Sequence, residues 1–265
     1  MGVEQRSGGL RLDRIFSWPG HRPVQGPTLA QSVQDPSQEG EERRPRRREG
    51  REFFDLGGTI KEADLGKNSK DVEAVRTLYV QPSAIEHFST REDEDPNTTT
   101  SADIRDYYRK TPRAKLLVAE LDGKIVGAIT IAPEEGINSV KLNRLVRRED
   151  KPGLGIAHLL IREAVTRSFS KKAKGGYRAS SITIGVILGI KGTDAAREAF
   201  KALEFKTWDE EGNRCYGWSK EEGRVVDRKV EIMKLKREAY AFRGHGMDLH
   251  RGTSLPPKED KSIPA

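Results

Sequence analysis

The segment Val146-Arg-Arg-Glu-Asp-Lys-Pro-Gly-Leu-Gly-Ile-Ala-His-Leu-Leu-Ile-Arg-Glu-Ala164 constrains the fold of this chain more than any other. It joins the end of an apolar run to a basic turn with two glycines, then to residues with helical apolar periodicity. A strand that enters a helix through so short a turn places the first turn of that helix beside the strand's end. The unpaired N–H groups of a helix N-terminus carry a partial positive charge. Gly153 and Gly155 lack the Cβ atoms that would hold an anionic group away from that backbone. The segment reads as a phosphate cradle, with a plain glycine turn as the alternative. Arg147, Arg148 and Lys151 are each either a phosphate contact or a solvated cation. His158, in the first helical turn, reads as surface or packing.

The flanks give the cradle a sheet to stand on. Lys115–Leu121 and Lys124–Ile131 are strands joined by Asp122-Gly123, the pair that favours a type I′ hairpin. Residues 137–146 form a third strand of the same meander. After the cradle helix (about 154–170) come a strand at 179–188 and a helix at 192–203, with Thr193 or Asp194 as its cap. Strands at 205–209, 214–218 and 224–235 complete the pattern. Before the meander lie a short strand at 56–60, a helix capped within 68–71, and a helix at 101–110 capped by Ser101 and ended by Thr111-Pro112. This order gives an α/β domain with a mixed, mainly antiparallel central sheet flanked by helices, spanning about 55–236.

The ends differ in kind. Residues 1–54 are rich in Gly, Pro, Gln, Ser, Arg and Glu without apolar period, and residues 237–265 resemble them. Neither buries enough surface to offset ordering entropy, so both read as disordered. A mean hydropathy of −0.73 agrees with one core of ordinary size between polar tails. No apolar run approaches about 18 residues, so no membrane-spanning helix is expected. The single cysteine, Cys215, excludes an intramolecular disulfide and a cysteine-rich zinc site. It reads as a strand residue, and a reducing, cytoplasmic location is expected. The arginines of residues 1–25 also fit an organelle targeting segment. With a net charge of +7, nucleic acid or an acidic substrate is one class of partner. The densest basic cluster, Arg43–Arg48, lies among glutamates and is either a solvated arm or a nucleic-acid contact.

Taken together, the element order and the loop Pro152-Gly-Leu-Gly-Ile-Ala157 resemble the GCN5-related N-acetyltransferases. Gly155 and Ala157 match the last two fixed positions of that family's Arg/Gln-x-x-Gly-x-Gly/Ala motif, and Pro152 stands where the family has Arg or Gln. The helix from Thr193 to Phe205 is similar to the family's Asn-x-x-Ala-x-x-x-Tyr-x-x-x-Gly-Phe helix. Ala196 and Phe205 match it, while Thr193, Phe200 and Glu204 replace the Asn, Tyr and Gly.

The resemblance implies an acyl-CoA-dependent N-acyltransferase that moves an acetyl group from acetyl-CoA to an amine by direct attack on the thioester. It implies that the cofactor's pyrophosphate lies on the backbone of Gly153, Leu154, Gly155, Ile156 and Ala157, near Arg147, Arg148 and Lys151. The pantetheine arm would follow Leu145 and Val146, splayed from the strand at 181–186, with Thr193 and Phe200 alongside. A backbone N–H near Val146 would stabilise the oxyanion. Glu135 is the candidate base, with a Glu-Glu-Gly turn as the alternative reading of that segment. Phe200 has no proton for the departing thiolate, so Tyr216 or a water is the candidate acid.

The acceptor is an amine on a small molecule, a protein or an aminoacyl-tRNA, and a homodimer is an open assembly state. Two readings stand beside the enzyme: a non-catalytic acyl-CoA-binding or interaction module on the same fold, and a nucleic-acid-binding protein using the basic arm.

Overall fold

The computed structural model describes residues 52–67, 69–90, 95–134, 136–151, 154–170, 176–209 and 213–242. Its centre is a nine-stranded sheet: β1 (Thr59–Glu62), β2 (Ser89–Thr90), β3 (Lys115–Leu121), β4 (Lys124–Pro133), β5 (Ser139–Arg147), β6 (Ser181–Ile187), β7 (Lys206–Asp209), β8 (Arg214–Ser219) and β9 (Arg224–Lys236). The strand order is β1-β3-β4-β5-β6-β9-β8-β2, with β7 also paired to β9. Every pairing is antiparallel except β5 with β6, which is parallel and needs a crossover. That crossover is the helix α4 (Ile156–Phe169), which follows the glycine turn.

The meander forms as expected. Asp122 and Gly123 take φ of 52° and 69°, as a type I′ turn requires, and β3 and β4 pair from Lys115↔Ile131 to Leu121↔Lys124. Apolar residues on both faces of β3 and β4 build two cores. Leu117, Ala119, Ile129 and Ile131 meet Ile156, Leu160, Ile161 and Val165 of α4. Leu116, Val118 and Ala128 meet Val72, Val75 and Leu78 of α1 (Lys70–Tyr79), and Ile104 of α3 (Ser101–Lys110). Burial on both faces is why these strands read as near-continuous apolar runs rather than alternating ones.

Gly127 sets how closely α4 approaches the sheet. A Cβ there would lie 2.7 Å from Ile156 Cγ2, 3.0 Å from Leu160 Cδ1 and 3.1 Å from the Val146 carbonyl oxygen.

Several expectations at element ends need correction. Helix α3 is capped by Thr100, not Ser101. The Thr100 hydroxyl accepts from Asp103 N (3.2 Å) while Asp103 Oδ2 accepts from Thr100 N (2.8 Å), so one side chain at each end satisfies the other's backbone. The N-cap of α5 (Thr193–Lys201) is Gly192, and neither Thr193 nor Asp194 caps it. Thr193 is buried and its hydroxyl donates to the Ile187 carbonyl (2.9 Å), tying the start of α5 to the end of β6.

Both expected domain limits are too narrow. Phe53, in a helical turn at 52–55, is fully buried in the core, and α6 (Arg237–Phe242) sets Tyr240 into the same core. A short helix α2 (Pro82–Ile85) and strand β2, absent from the sequence reading, fill the span after α1. The basic cluster 43–48, residues 1–25 and the rest of both tails lie outside the described residues. Among the described residues no helix is long and apolar enough to cross a membrane, and no cluster of three or more His, Cys, Asp or Glu side chains could hold a metal ion.

Candidate active-site cleft

The cleft begins where β5 and β6 stop pairing. They run in register from Ser139↔Ser181 to Leu142↔Ile184 and no further, although each strand continues. The cause is visible on the other side of β5. Its register with β4 passes from Thr130↔Asn143 to Ala128↔Val146, so β5 holds one residue more than β4 across that step. Arg144 takes a φ of 50° within this bulge. Such an insertion bends and twists the strand that carries it. The end of β5 thereby leaves β6 and follows β4, and a slot opens between the two parallel strands.

A cavity of about 590 Å³ occupies the slot. One wall is β5 from Lys141 to Arg147, and the other is β6 from Ile184 to Ile187. Beyond the sheet on one side lie Ala157 of α4 and Ala195, Ala196, Ala199 and Phe200 of α5. On the other lie Ser83, Ala84, His87, Phe88 and Ser89 of the α2–β2 region, together with Cys215 and Val230. The helical side is lined mainly by small side chains, which leave room for a thin extended chain. The α2–β2 side carries the polar and ionisable groups.

Gly155 is the N-cap of α4 and takes a left-handed φ of 64° with no side-chain cap bond. The backbone N–H groups of the first turn of α4 thus stand at one end of the slot. Ala157 lines the cavity, while Ile156 turns inward and is buried in the core. Pro152 and Gly153 lie outside the described residues.

The basic residues of the turn separate into different roles. Arg147 is exposed and lines the cavity, its Nη1 donating to the Arg148 carbonyl (3.3 Å). Arg148 is a correction. Its Nε and Nη2 grip the Asp150 carboxylate at 2.8 and 2.7 Å, and that same hydrogen bond holds the carboxyl of Asp150 below its usual range. It lines a separate depression with Lys124 and Glu120, not the cleft. Lys151 and Leu154 also fall outside the cleft wall, in a shallow hollow with Leu56 and Leu121. Leu145 and Val146 line the slot on opposite faces of β5: Leu145 packs against the core on α4 and Val146 joins the core under α1.

The acid–base candidates also divide. Glu135 lies outside the described residues. Tyr216 does not line the cleft; its neighbour Cys215 does, because successive side chains of β8 face opposite sides. Burial raises the Cys215 thiol to about 11, so it carries its proton at neutral pH. Phe200 lines the slot, is 2% exposed and stands edge-on to Phe205 with ring centroids 5.4 Å apart. Thr193 is a structural tie and does not reach the cavity wall.

Two groups on the cleft wall escaped the sequence reading. His87 is half-buried, and burial lowers its imidazole below the ordinary 6.5, against smaller opposing effects from the Glu86 carboxylate and a hydrogen bond to the Lys191 backbone. Arg144 lays its guanidinium over the Tyr79 and Phe88 rings, 5.3 and 5.9 Å from their centroids. Neither position carries a motif: His87 follows an irregular turn, and the role of Arg144 depends on a bulge that only pairing with β4 creates.

The comparisons with known proteins agree with this geometry. Residues 76–183 match the model of the Acetyltransferase (GNAT) family. A search of curated proteins finds no match. Among solved structures, the spermidine N-acetyltransferase from Vibrio cholerae, in complex with CoA and spermine, is similar with a TM-score of 0.53 and 16% identity, over 69% of this chain and 98% of that one. An N-acetyltransferase from Staphylococcus aureus Mu50 has a TM-score of 0.49 and 16% identity, over 68% of this chain and 98% of that one. At 16% identity the likeness to the Vibrio cholerae structure is one of fold.

The family uses an acyl-CoA, and the cleft fits one: a slot between parted parallel strands, a wall of alanines, and a left-handed glycine opening a helix N-terminus at its end. Residues 76–183 thus carry a stretch that matches the Acetyltransferase (GNAT) family, within a fold similar to that of solved N-acetyltransferases.

Proposed function

We propose that the protein transfers an acetyl group from acetyl-CoA to a primary amine held on the α2–β2 side of the cleft. The parting of β5 and β6 beside the N-terminus of α4 carries this reading. Acetyl-CoA supplies an activated thioester whose leaving group is a weakly basic thiolate. The backbone of Gly155, Ile156 and Ala157 receives the pyrophosphate, with Arg147 beside it. Leu145 and Val146 line the pantetheine arm, with Ala196, Ala199 and Phe200 across the slot. The β5 backbone at the bulge orients the thioester carbonyl.

An ammonium group must lose a proton before it can attack. Among the described residues lining the cleft, His87 and Glu149 carry the side chains suited to take up that proton. Glu149 is exposed at the rim, where its Oε1 accepts from Ser83 N at 3.3 Å. His87 is the better base: it is half-buried on the cleft wall, and burial lowers its imidazole below the ordinary 6.5 and so favours the neutral, proton-accepting form. Phe200 excludes water from the thiol end and donates nothing, so the thiolate departs without a general acid from this position.

The test is release of free CoA thiol on mixing the protein with acetyl-CoA and a panel of amines. Amine-dependent release supports transfer. Tight acetyl-CoA binding without release from any amine favours the non-catalytic module, a reading that Phe200 motivates.

A further inference from the structure

The acceptor side of the cleft continues along the sheet. Side chains of β9 alternate across it. Met233 and Leu235 enter the core on α4, and Glu231 is buried on the same side, held by Arg197 of α5. Ile232, Lys234 and Lys236 therefore take the other side. That side is the acceptor side. A Cβ at Gly185 would lie 3.2 Å from Val230 Cγ1 and 3.7 Å from Ile232 Cδ1, and Gly185 and Val230 both line the cavity.

Strand β7 extends this face to a sheet edge. Among the described residues it pairs with β9 alone. Lys206 stands directly opposite Lys234 in that pairing, so both ammonium groups leave the same face. Thr207 points the other way, its hydroxyl donating to Glu231. Trp208 returns to the lysine side, with the Lys234 ammonium 4.3 Å from its ring centroid. The tryptophan is 56% exposed even so, and Lys206 and Lys236 are exposed beside it. Like charges directly opposite in a sheet repel. Contact with the indole offsets part of that cost for Lys234, and an anion shared by the two ammonium groups would offset more.

We propose that this face binds a single-stranded nucleic acid, with a base stacked on Trp208 and phosphates on Lys206, Lys234 and Lys236. Stacking platforms flanked by cations hold single strands without reading their sequence. The lysines alone would serve an acidic polypeptide equally well. The exposed indole decides for nucleic acid, because a carboxylate side chain has no ring to lay on it. A duplex keeps its base faces stacked inside and could use only the lysines. The inference goes beyond the acetyltransferase reading and does not depend on it.

The experiment measures fluorescence anisotropy of labelled oligouridylate and oligothymidylate of about 12 nucleotides with the full chain, over a series of salt concentrations. A duplex of the same length and poly-L-glutamate are the competitors. Both single strands should bind, more tightly than either competitor. Trp208→Ala should weaken binding roughly 5- to 150-fold, the range of one lost stacking contact, and Trp208→Phe should recover much of it. Lys206→Gln and Lys234→Gln should each flatten the slope of log affinity against log salt by about 0.7.

No binding of either strand at low salt overturns the proposal. So does a Trp208→Ala protein that binds as tightly as the wild type, which would place the contact elsewhere, as on the basic cluster 43–48. Poly-L-glutamate competing as well as the oligonucleotides would overturn it in favour of an acidic polypeptide. Denaturant unfolding of each variant checks its fold, and if Trp208→Ala is unstable the salt slopes of the two lysine variants decide. Acetyl-CoA affinity of Trp208→Ala should equal the wild type's. Oligonucleotide binding without any acetyl-CoA binding would sink the acetyltransferase reading and leave this one standing.

Discussion

At the residue scale, neighbours that look alike in sequence play different parts. Arg147 and Arg148 are adjacent cations in a basic turn, yet one lines the cleft and the other is gripped by Asp150. Arg148→Ala should leave acetyl-CoA affinity unchanged by calorimetry, while Arg147→Ala should weaken it by up to about fivefold, the range of one exposed ion pair. His87 gives a sharper test. His87→Gln should lower kcat by roughly 10²–10⁴-fold if it is the base. The wild-type rate should fall with acid only below the ordinary histidine value of 6.5, because burial lowers the imidazole, and the variant should lose that limb. The same depression sets a stability trend. Above pH 6.5 the imidazole is neutral in both states and its full contribution is present; as pH falls below 6.5 toward the lowered folded value, the unfolded chain binds the proton more readily and stability declines. The glycine turn between strand and helix was legible as pattern, because such a turn has few geometries, and the resemblance pointed to Leu145 and Val146, which line the slot. Neither located His87 or Arg144, because their positions depend on where an irregular turn and a bulge come to rest against other strands.

At the element scale, the cleft is made by two departures from regularity. One is the extra residue in β5 near Arg144 and the other is the close seat of α4 over Gly127. Neither has a signal in one strand's own sequence, since a bulge is a property of a pair and a close approach is a property of a helix against a sheet. The helices and the hairpin were legible because apolar period and Asp-Gly chemistry act locally. The cap of α3 slipped by one residue because Thr100 and Ser101 are both good caps, and only the partner Asp103, three residues after Thr100, decides between them. Gly127→Val tests the seat of α4. Its side chain would press on Ile156 and Leu160, so overpacking should destabilise by about 1–3 kcal/mol. The helix would also lift from the slot, and chemical denaturation with acetyl-CoA titration should show both losses together. A variant of normal stability and normal affinity would mean that α4 adjusts freely and its seat does not set the cleft.

At the scale of the whole molecule, one sheet carries two cores, and its ends reach further than composition implied. Composition places a boundary where polar residues begin, so it missed single aromatic anchors within polar sequence. Phe53 fills the core beside Gly58, whose Cβ would come 2.5 Å from the Phe53 ring. Phe53→Ala should therefore cost about 3–5 kcal/mol in denaturant unfolding. A change near zero would show that this end is not part of the fold. Calorimetry of the purified protein with acetyl-CoA, alongside Gly155→Val, asks whether the parted strands and the N-terminus of α4 form an acyl-CoA site. A valine at a φ of 64° is strained and sets a branched side chain at the cradle. Saturable one-to-one binding to the wild type and at least a tenfold loss in the variant are expected. No binding to the wild type, or equal binding to both, would contradict such a site.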